Sequence, residues 1–332
     1  MSKFVTAALL VLFYAAGALQ AIAADVAPKR YPISALPIVA RIKVPVGPGW
    51  LETGFGSLWV SKSNSKTVLR IDPTSNRIIA TIPVGSDPEL GIGMGMGFVW
   101  VADTKDRTIT QIDPTTNRVV KVISAELAPD PEGSIGVGKG SLWVMTNRHG
   151  TKSATLTRID PANGKVVADI SVRPESHACI FAFGSVWLTS SGAGTVSRVD
   201  PSSNTVIAEI TVHALPRFLI SNEDGIWVLS QSDGTLAHID PSTNRVIATI
   251  DVGVPGDGGD LSVGERQVWV SAERVPLSQI DPQTNTLLRQ FAGGRKDDTM
   301  RVAFGSAWVL DEDHGEIWRI DLGKLETLPA PP

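Results

Sequence analysis

Leu236-Ala237-His238-Ile239-Asp240-Pro241-Ser242-Thr243-Asn244-Arg245-Val246-Ile247-Ala248-Thr249-Ile250-Asp251-Val252-Gly253 is the stretch that decides the fold. Two strand-like runs, 236–240 and 245–251, are joined by Pro-Ser-Thr-Asn, which reads as a β-hairpin. Pro suits the first turning position and Asn a left-handed one at the end. Outward from this hairpin, the Ile/Val-Asp pair recurs at Asp72, Asp113, Asp160, Asp200, Asp240, Asp281 and Asp321, and six of the seven continue into Pro. In step with it, a Trp followed by Val or Leu stands at Trp59, Trp100, Trp143, Trp187, Trp227, Trp269 and Trp308, at intervals of 39–44 residues.

Seven copies in phase define an internal repeat. Each reads as four strands; in the second copy they fall at 90–95, 98–103, 108–113 and 118–123. Four strands at this period make one blade of a β-propeller. The expectation is therefore an all-β, seven-bladed β-propeller with four-stranded blades. In the third copy, Asp160-Pro161-Ala162-Asn163-Gly164 puts Gly where the other turns have Asn. Both residues tolerate positive φ, so the position reads as turn geometry. The Trp column reads as packing between neighbouring sheets.

The termini say how the ring closes. The seventh copy ends after its third strand, at Ile320-Asp321-Leu322, and the missing strand stands at the other end of the chain. There Ile38-Val39-Ala40-Arg41-Ile42-Lys43-Val44 matches Ile78-Ile79-Ala80-Thr81-Ile82-Pro83-Val84. The N-terminal strand is expected to complete blade seven, giving a propeller over 37–323 between loose segments at 24–36 and 324–332.

Residues 1–23 read as a signal peptide: Lys3, an apolar run over 4–19, and the small-residue site Ala21-Ile22-Ala23. That run is shorter than a membrane span, no later segment is apolar enough to be one, and no Cys follows the site to be lipidated. The periplasm is the first expected destination and secretion the second. The 332 residues are 42% hydrophobic and 19% charged, with net charge -4, or -5 once Lys3 leaves with the leader. This charge argues against a nucleic-acid partner. A single Cys excludes an intramolecular disulfide framework and any multi-cysteine metal site.

The repeat Val-x-x-Ile-Asp-Pro-x-Thr-Asn-x-Val-Ile-Ala-x-Ile-x-Val-Gly, running through 38–321, resembles the YVTN family of β-propeller repeats. Trp100-Val101-Ala102-Asp103 and Trp59-Val60-Ser61-Lys62 stand where that family has its naming tetrapeptide. Hairpins such as Gly56-Ser57-Leu58-Trp59 also resemble those of streptogramin lyase-like propellers. The resemblance implies an extracytoplasmic protein. It leaves function open between binding proteins and a few lyases and lactone hydrolases.

Loops of a propeller alternate between two faces. The face with the first-to-second and third-to-fourth hairpins is monotonous here. The face with the second-to-third loops and the blade crossings varies from copy to copy, which marks it as the candidate functional face. Residues at the starts of the innermost strands converge on the channel, so the first candidates are Glu52, Glu89, Glu132, His177, Arg217, Asp260 and Arg301. Arg148, His149, Glu273 and His314 follow. His238 shares a column with Arg70, Gln111, Arg158, Arg198, Gln279 and Arg319 and reads as a surface residue. Cys179 and Met94 fall in apolar strand columns, so packing explains them better than nucleophilic or copper chemistry.

Two readings of different class remain open. The first is a binding protein that presents its variable face and channel mouth to a small molecule, an envelope protein or a polymer, and is expected to be a monomer. The second, implied by the lyase resemblance, is a metal-assisted lyase or lactone hydrolase. In it His177 would be the base, and Glu89, Glu132 or Asp260 would hold Mg²⁺ or Ca²⁺.

Overall fold

The computed structural model describes residues 27–47, 49–88, 91–128, 135–146, 148, 154–253, 259–272, 275–293 and 299–331. The leader expected at 1–23 lies outside them. Seven antiparallel sheets follow one another along the chain. Their inner strands are Gly49–Gly54, Ile92–Gly95, Gly136–Gly138, Ser176–Ala182, Pro216–Asn222, Asp260–Gly264 and Met300–Ala303. Each touches the inner strand of the next blade, and the seventh touches the first, so the ring is closed. In blade two the strands are Ile92–Gly95, Phe98–Asp103, Thr108–Asp113 and Arg118–Ser124, within two residues of the sequence reading at every boundary.

Blade seven is completed as expected. Ile38–Lys43 pairs antiparallel with Glu316–Asp321, and Ile38, Arg41 and Lys43 stand opposite Ile320, Trp318 and Glu316. Glu316 accepts from Lys43 Nζ at 2.7 Å and Arg41 Nη1 at 2.9 Å. Those two hydrogen bonds, with their charges, hold its carboxyl down at about 2.

The described parts of the flanking segments, 27–36 and 324–331, pack on the ring. Lys29–Pro32 adds a fifth, parallel strand to the outer edge of blade six. Tyr31 is its anchor, 5% exposed and stacked on Phe291 with ring centroids 5.2 Å apart. At the other end, the one-turn helix Leu322–Leu325 buries both leucines. The Leu325 carbonyl accepts from Arg289 Nη1, and Glu326 accepts from Arg289 Nη2 at 2.9 Å.

The Trp column packs as expected. All seven indoles are at most 1% exposed, and each lies in a cluster with apolar residues of the following blade, such as Trp59 with Ile92, Val99 and Ile112. At ~25 cal/mol/Å² and roughly 200 Å² per indole, each contributes at most about 5 kcal/mol of transfer free energy. In all seven the indole Nε1 donates to an acceptor five residues back, at 2.9–3.3 Å, so none of the column's nitrogens is stranded.

The repeated turn has a second job that the sequence reading missed. Asn76, Asn117, Asn204, Asn244 and Asn285 have φ of 55–58° and Gly164 has 73°, as the turn requires. The Asp before each Pro caps the turn; Asp240 accepts from Ser242 Oγ, Thr243 Oγ1 and Ser242 N, which pulls its carboxyl down to about 2. The Asn side chain also ties the blades together. Arg198 lies over Trp187 of its own blade at 4.8 Å and donates to the Pro241 carbonyl at 2.6 Å and to Asn244 Oδ1 at 2.8 Å in the next blade. Arg70, Arg158 and Arg319 repeat this bridge.

His238, expected at the surface, takes the same bridging place and is 3% exposed. It stacks on Trp227 at 3.8 Å, and its Nδ1 is 2.7 Å from Asn285 Oδ1. Its burial follows from having to fill the slot over the indole. Where the next turn carries Gly164 in place of Asn, Lys121 instead donates to the Pro161 and Ala162 carbonyls.

Candidate functional site

Blade geometry gives each inner-strand residue a fixed position around the channel. The residue directly across from each Trp is Glu52, Gly93, Gly136, Ile180, Ile220, Ser262 or Arg301. Blades seven and one are neighbours, so the two charged members of this column meet. Arg301 Nε donates to Glu52 Oε2 at 3.0 Å, and Arg301 Nη1 donates to Asp260 Oδ2 of blade six at 2.6 Å. Arg301 is 9% exposed in its side chain, Asp260 5% and Glu52 23%. Gly93 allows a close approach: a Cβ there would stand 2.8 Å from the Ile135 carbonyl of blade three.

Asp260 accepts four hydrogen bonds. Its Oδ2 also accepts from Thr299 Oγ1 and Met300 N, both at 3.0 Å, and its Oδ1 from Leu261 N at 2.7 Å. Burial alone would lower the Arg301 pKa, but the charges of Asp260 and Glu52 outweigh it and hold the guanidinium above its ordinary value. Glu52 is less occupied, with Oε1 accepting from Thr53 N at 2.9 Å.

One residue earlier than Leu51 and Leu219 on their strands, Trp50 and Phe218 reach across the channel from blades one and five. Their ring centroids are 5.9 Å apart, and Arg301 lies over the Trp50 ring at 5.1 Å. A cavity of about 240 Å³ is lined by inner strands of all seven blades. It runs from the Trp50–Phe218 pair at the strand starts, toward the variable face, to Thr53, Met94, Val137 and Phe181 further along. Its walls are mostly hydrocarbon and aromatic. Among the described residues its charged lining is Glu52, Asp260 and Arg301.

Of the sequence candidates, the structure thus brings Glu52, Asp260 and Arg301 together. His177 and Arg217 stand at the heads of the neighbouring inner strands of blades four and five, each within an irregularity of pairing that re-aims the side chain. His177 Nε2 lies 2.8 Å from Ser191 Oγ. Arg148 is turned away from the channel and bridges Asp169 at 3.1 Å and Glu126 at 3.5 Å, on and beside the outer strands of blades three and two. His314 pairs with Asp311 at 2.8 Å inside a turn of blade seven. Glu89, Glu132, His149 and Glu273 lie outside the described residues. Cys179 is fully buried, as its apolar column implies.

The Glu52–Asp260 pair does not fit a divalent cation, because Arg301 already occupies the position between the carboxylates that the ion would take. Asp260, a metal candidate by sequence, anchors Arg301, and the other two metal candidates, Glu89 and Glu132, lie outside the described residues. Among the described residues no group of three or more His, Cys, Asp or Glu side chains is placed to hold a metal ion. Sequence reasoning missed the Trp50–Phe218 contact as a pair. The signal was available, since both are large aromatics in the column that elsewhere holds Gly91, Ser134, Ala178, Asp260 and Thr299.

No protein-family model matches the chain, and no curated protein matches it in sequence. Among solved structures it is similar to Kuenenia stuttgartiensis hydrazine synthase, with a TM-score of 0.67 and 11% identity over 84% of this chain and 97% of that one. It is also similar to the β-propeller domain of Myceliophteria thermophila Cps50 (Swd1), with a TM-score of 0.70 and 11% identity over 86% of this chain and 99% of that one. At this identity the likeness is one of fold.

Proposed function

We propose that this propeller is an exported, periplasmic binding protein that takes a small molecule at its channel mouth, on the variable face. The observation that carries the reading is the cavity of about 240 Å³ to which all seven blades contribute. Its apolar walls and one fixed polar cluster are the usual make-up of a small-ligand site. The leader-like start and the resemblance to YVTN repeats support export.

Native mass spectrometry of the protein recovered from periplasmic extract tests this. The expected result is a small-molecule adduct that is lost in Ile180→Trp, whose indole would fill the cavity. Ile180→Trp retaining the adduct, or no adduct together with no thermal shift from a metabolite panel, overturns the reading. A ligand at a hundred times its Kd adds ~2.7 kcal/mol, which a melt resolves.

One observation favours the second reading, a hydrolase or lyase. His177 Nε2 and Ser191 Oγ are within proton-transfer reach at 2.8 Å. If that reading holds, His177→Ala abolishes turnover of a lactone substrate, and unchanged turnover removes His177 from the chemistry.

A further inference from the structure

We propose that the channel site selects a small organic cation, an ammonium group carried on a compact apolar body; this rests on the channel-binding reading above. Among the described residues the charged groups lining the cavity are two carboxylates and one guanidinium, one negative charge in excess. That charge resides on Glu52. Asp260 accepts four hydrogen bonds, three at Oδ2 from Thr299 Oγ1, Met300 N and Arg301 Nη1 and one at Oδ1 from Leu261 N, and at 5% exposure it is the less accessible of the two carboxylates. Glu52 accepts from Thr53 N and Arg301 Nε alone, and a carboxylate offers about four acceptor positions. Arg301 cannot swing across to quench it, because Nη1 is also held by the Leu261 and Met300 carbonyls.

The rest of the wall fits the same ligand. Trp50, Phe218 and Phe181 line the cavity with ring carbon; Arg301 already lies over Trp50, so the attraction of an aromatic face for an alkylammonium falls to Phe181 and Phe218, while all three receive its hydrocarbon. An anion would meet Glu52 and find the one guanidinium already outnumbered. A neutral hydroxyl could donate to Glu52 but would leave its charge without a counterion. The volume, about 240 Å³, lies below the ~300–1,000 Å³ typical of drug-sized ligands, so the body is a single ring or a short chain.

The test uses three probes with one body and different heads: phenethylammonium, 2-phenylethanol and phenylacetate, each titrated calorimetrically into the mature wild-type protein at millimolar concentration. The expected result is binding of the ammonium, with the alcohol weaker by about tenfold or more and the carboxylate weakest. In Glu52→Gln, checked for an intact melt, the ammonium loses its advantage over the alcohol while the alcohol keeps its affinity. Equal binding of ammonium and alcohol to wild type, or preference for the carboxylate, overturns the selectivity and leaves channel binding standing. No binding of any probe also overturns it. Whether channel binding then falls as well is decided separately by the adduct measurement on wild type and Ile180→Trp.

Discussion

Arg301→Met is the substitution that most directly examines what holds the channel wall. Methionine keeps an apolar stem under Trp50, where the guanidinium now lies 5.1 Å from the ring, but removes the partner of two carboxylates. Asp260, 5% exposed, loses its 2.6 Å ion pair, and Glu52 loses the one at 3.0 Å. Breaking a buried pair from one side costs about 3–5 kcal/mol, because the remaining charge stays desolvated. The change of stem by itself costs under ~1.5 kcal/mol, so the stranded charge decides the outcome. With an unfolding entropy of ~2.1 cal/mol/K per residue over roughly 290 residues, the variant should melt about 5–8 °C lower in scanning calorimetry. Adding Asp260→Asn should recover much of the loss, and a double-mutant cycle should give a coupling of about 2 kcal/mol or more. Arg301→Met melting within about 1 °C of wild type, or two substitutions that simply add, would refute the argument that this cluster is an electrostatic unit.

Two further outcomes follow from the frame. Asn244→Gly keeps the left-handed turn but removes the acceptor for Arg198, which should cost about 1 kcal/mol in urea denaturation; Asn244→Ala should lose a further ~1–2 kcal/mol to backbone strain. Equal stability of Asn244→Gly and wild type would show that the inter-blade bridge contributes nothing. Glu316 has a folded pKa of about 2 against an ordinary 4.5, so its contribution to ring closure is full above 4.5 and is lost as pH falls through about 2. Glu316→Gln should therefore melt lower than wild type at neutral pH, by an amount that shrinks as pH falls from 4.5 to 2. Its partners are well exposed, so the effect is about 0.2–1 kcal/mol per pair. A deficit that does not change with pH would refute the assignment.

The repeat made the ring legible because the copies carry nearly the same local instructions: a Trp eight residues after a core position in all seven, and an Asp-Pro turn between two strands in six. Closure of blade seven was legible for the same reason, since 38–44 looks like every other outer strand. What escaped depends on partners far along the chain. Nothing local to Lys29-Arg30-Tyr31-Pro32 announces a strand, because its anchor is Phe291, and nothing local to His238 announces burial, because Asn285 and Trp227 make its slot. At the site, Glu52, Asp260 and Arg301 were visible as candidates by position. Their mutual pairing appears only once columns are aligned across blades seven, one and six. The Asn of each turn was assigned a backbone role correctly, and its second role as an acceptor for the preceding blade required the neighbouring sheet.

The closing pair of strands also constrains how the chain reaches its native state. Arg41 and Glu316, which meet at 2.9 Å, are separated by 275 residues of sequence. A contact of that span is among the slowest to form, because the whole intervening loop must be ordered or searched first. Ile38–Lys43 is therefore made early and must wait for its partner until nearly the entire chain exists. During that interval Ile38–Lys43 has no strand to pair with, and the parallel strand at Lys29–Pro32 can settle only after blade six is built. The last kinetic event is expected to be the docking of residues 29–43 across blades six and seven, and a chain truncated before Glu316 should collapse without ever shutting its ring.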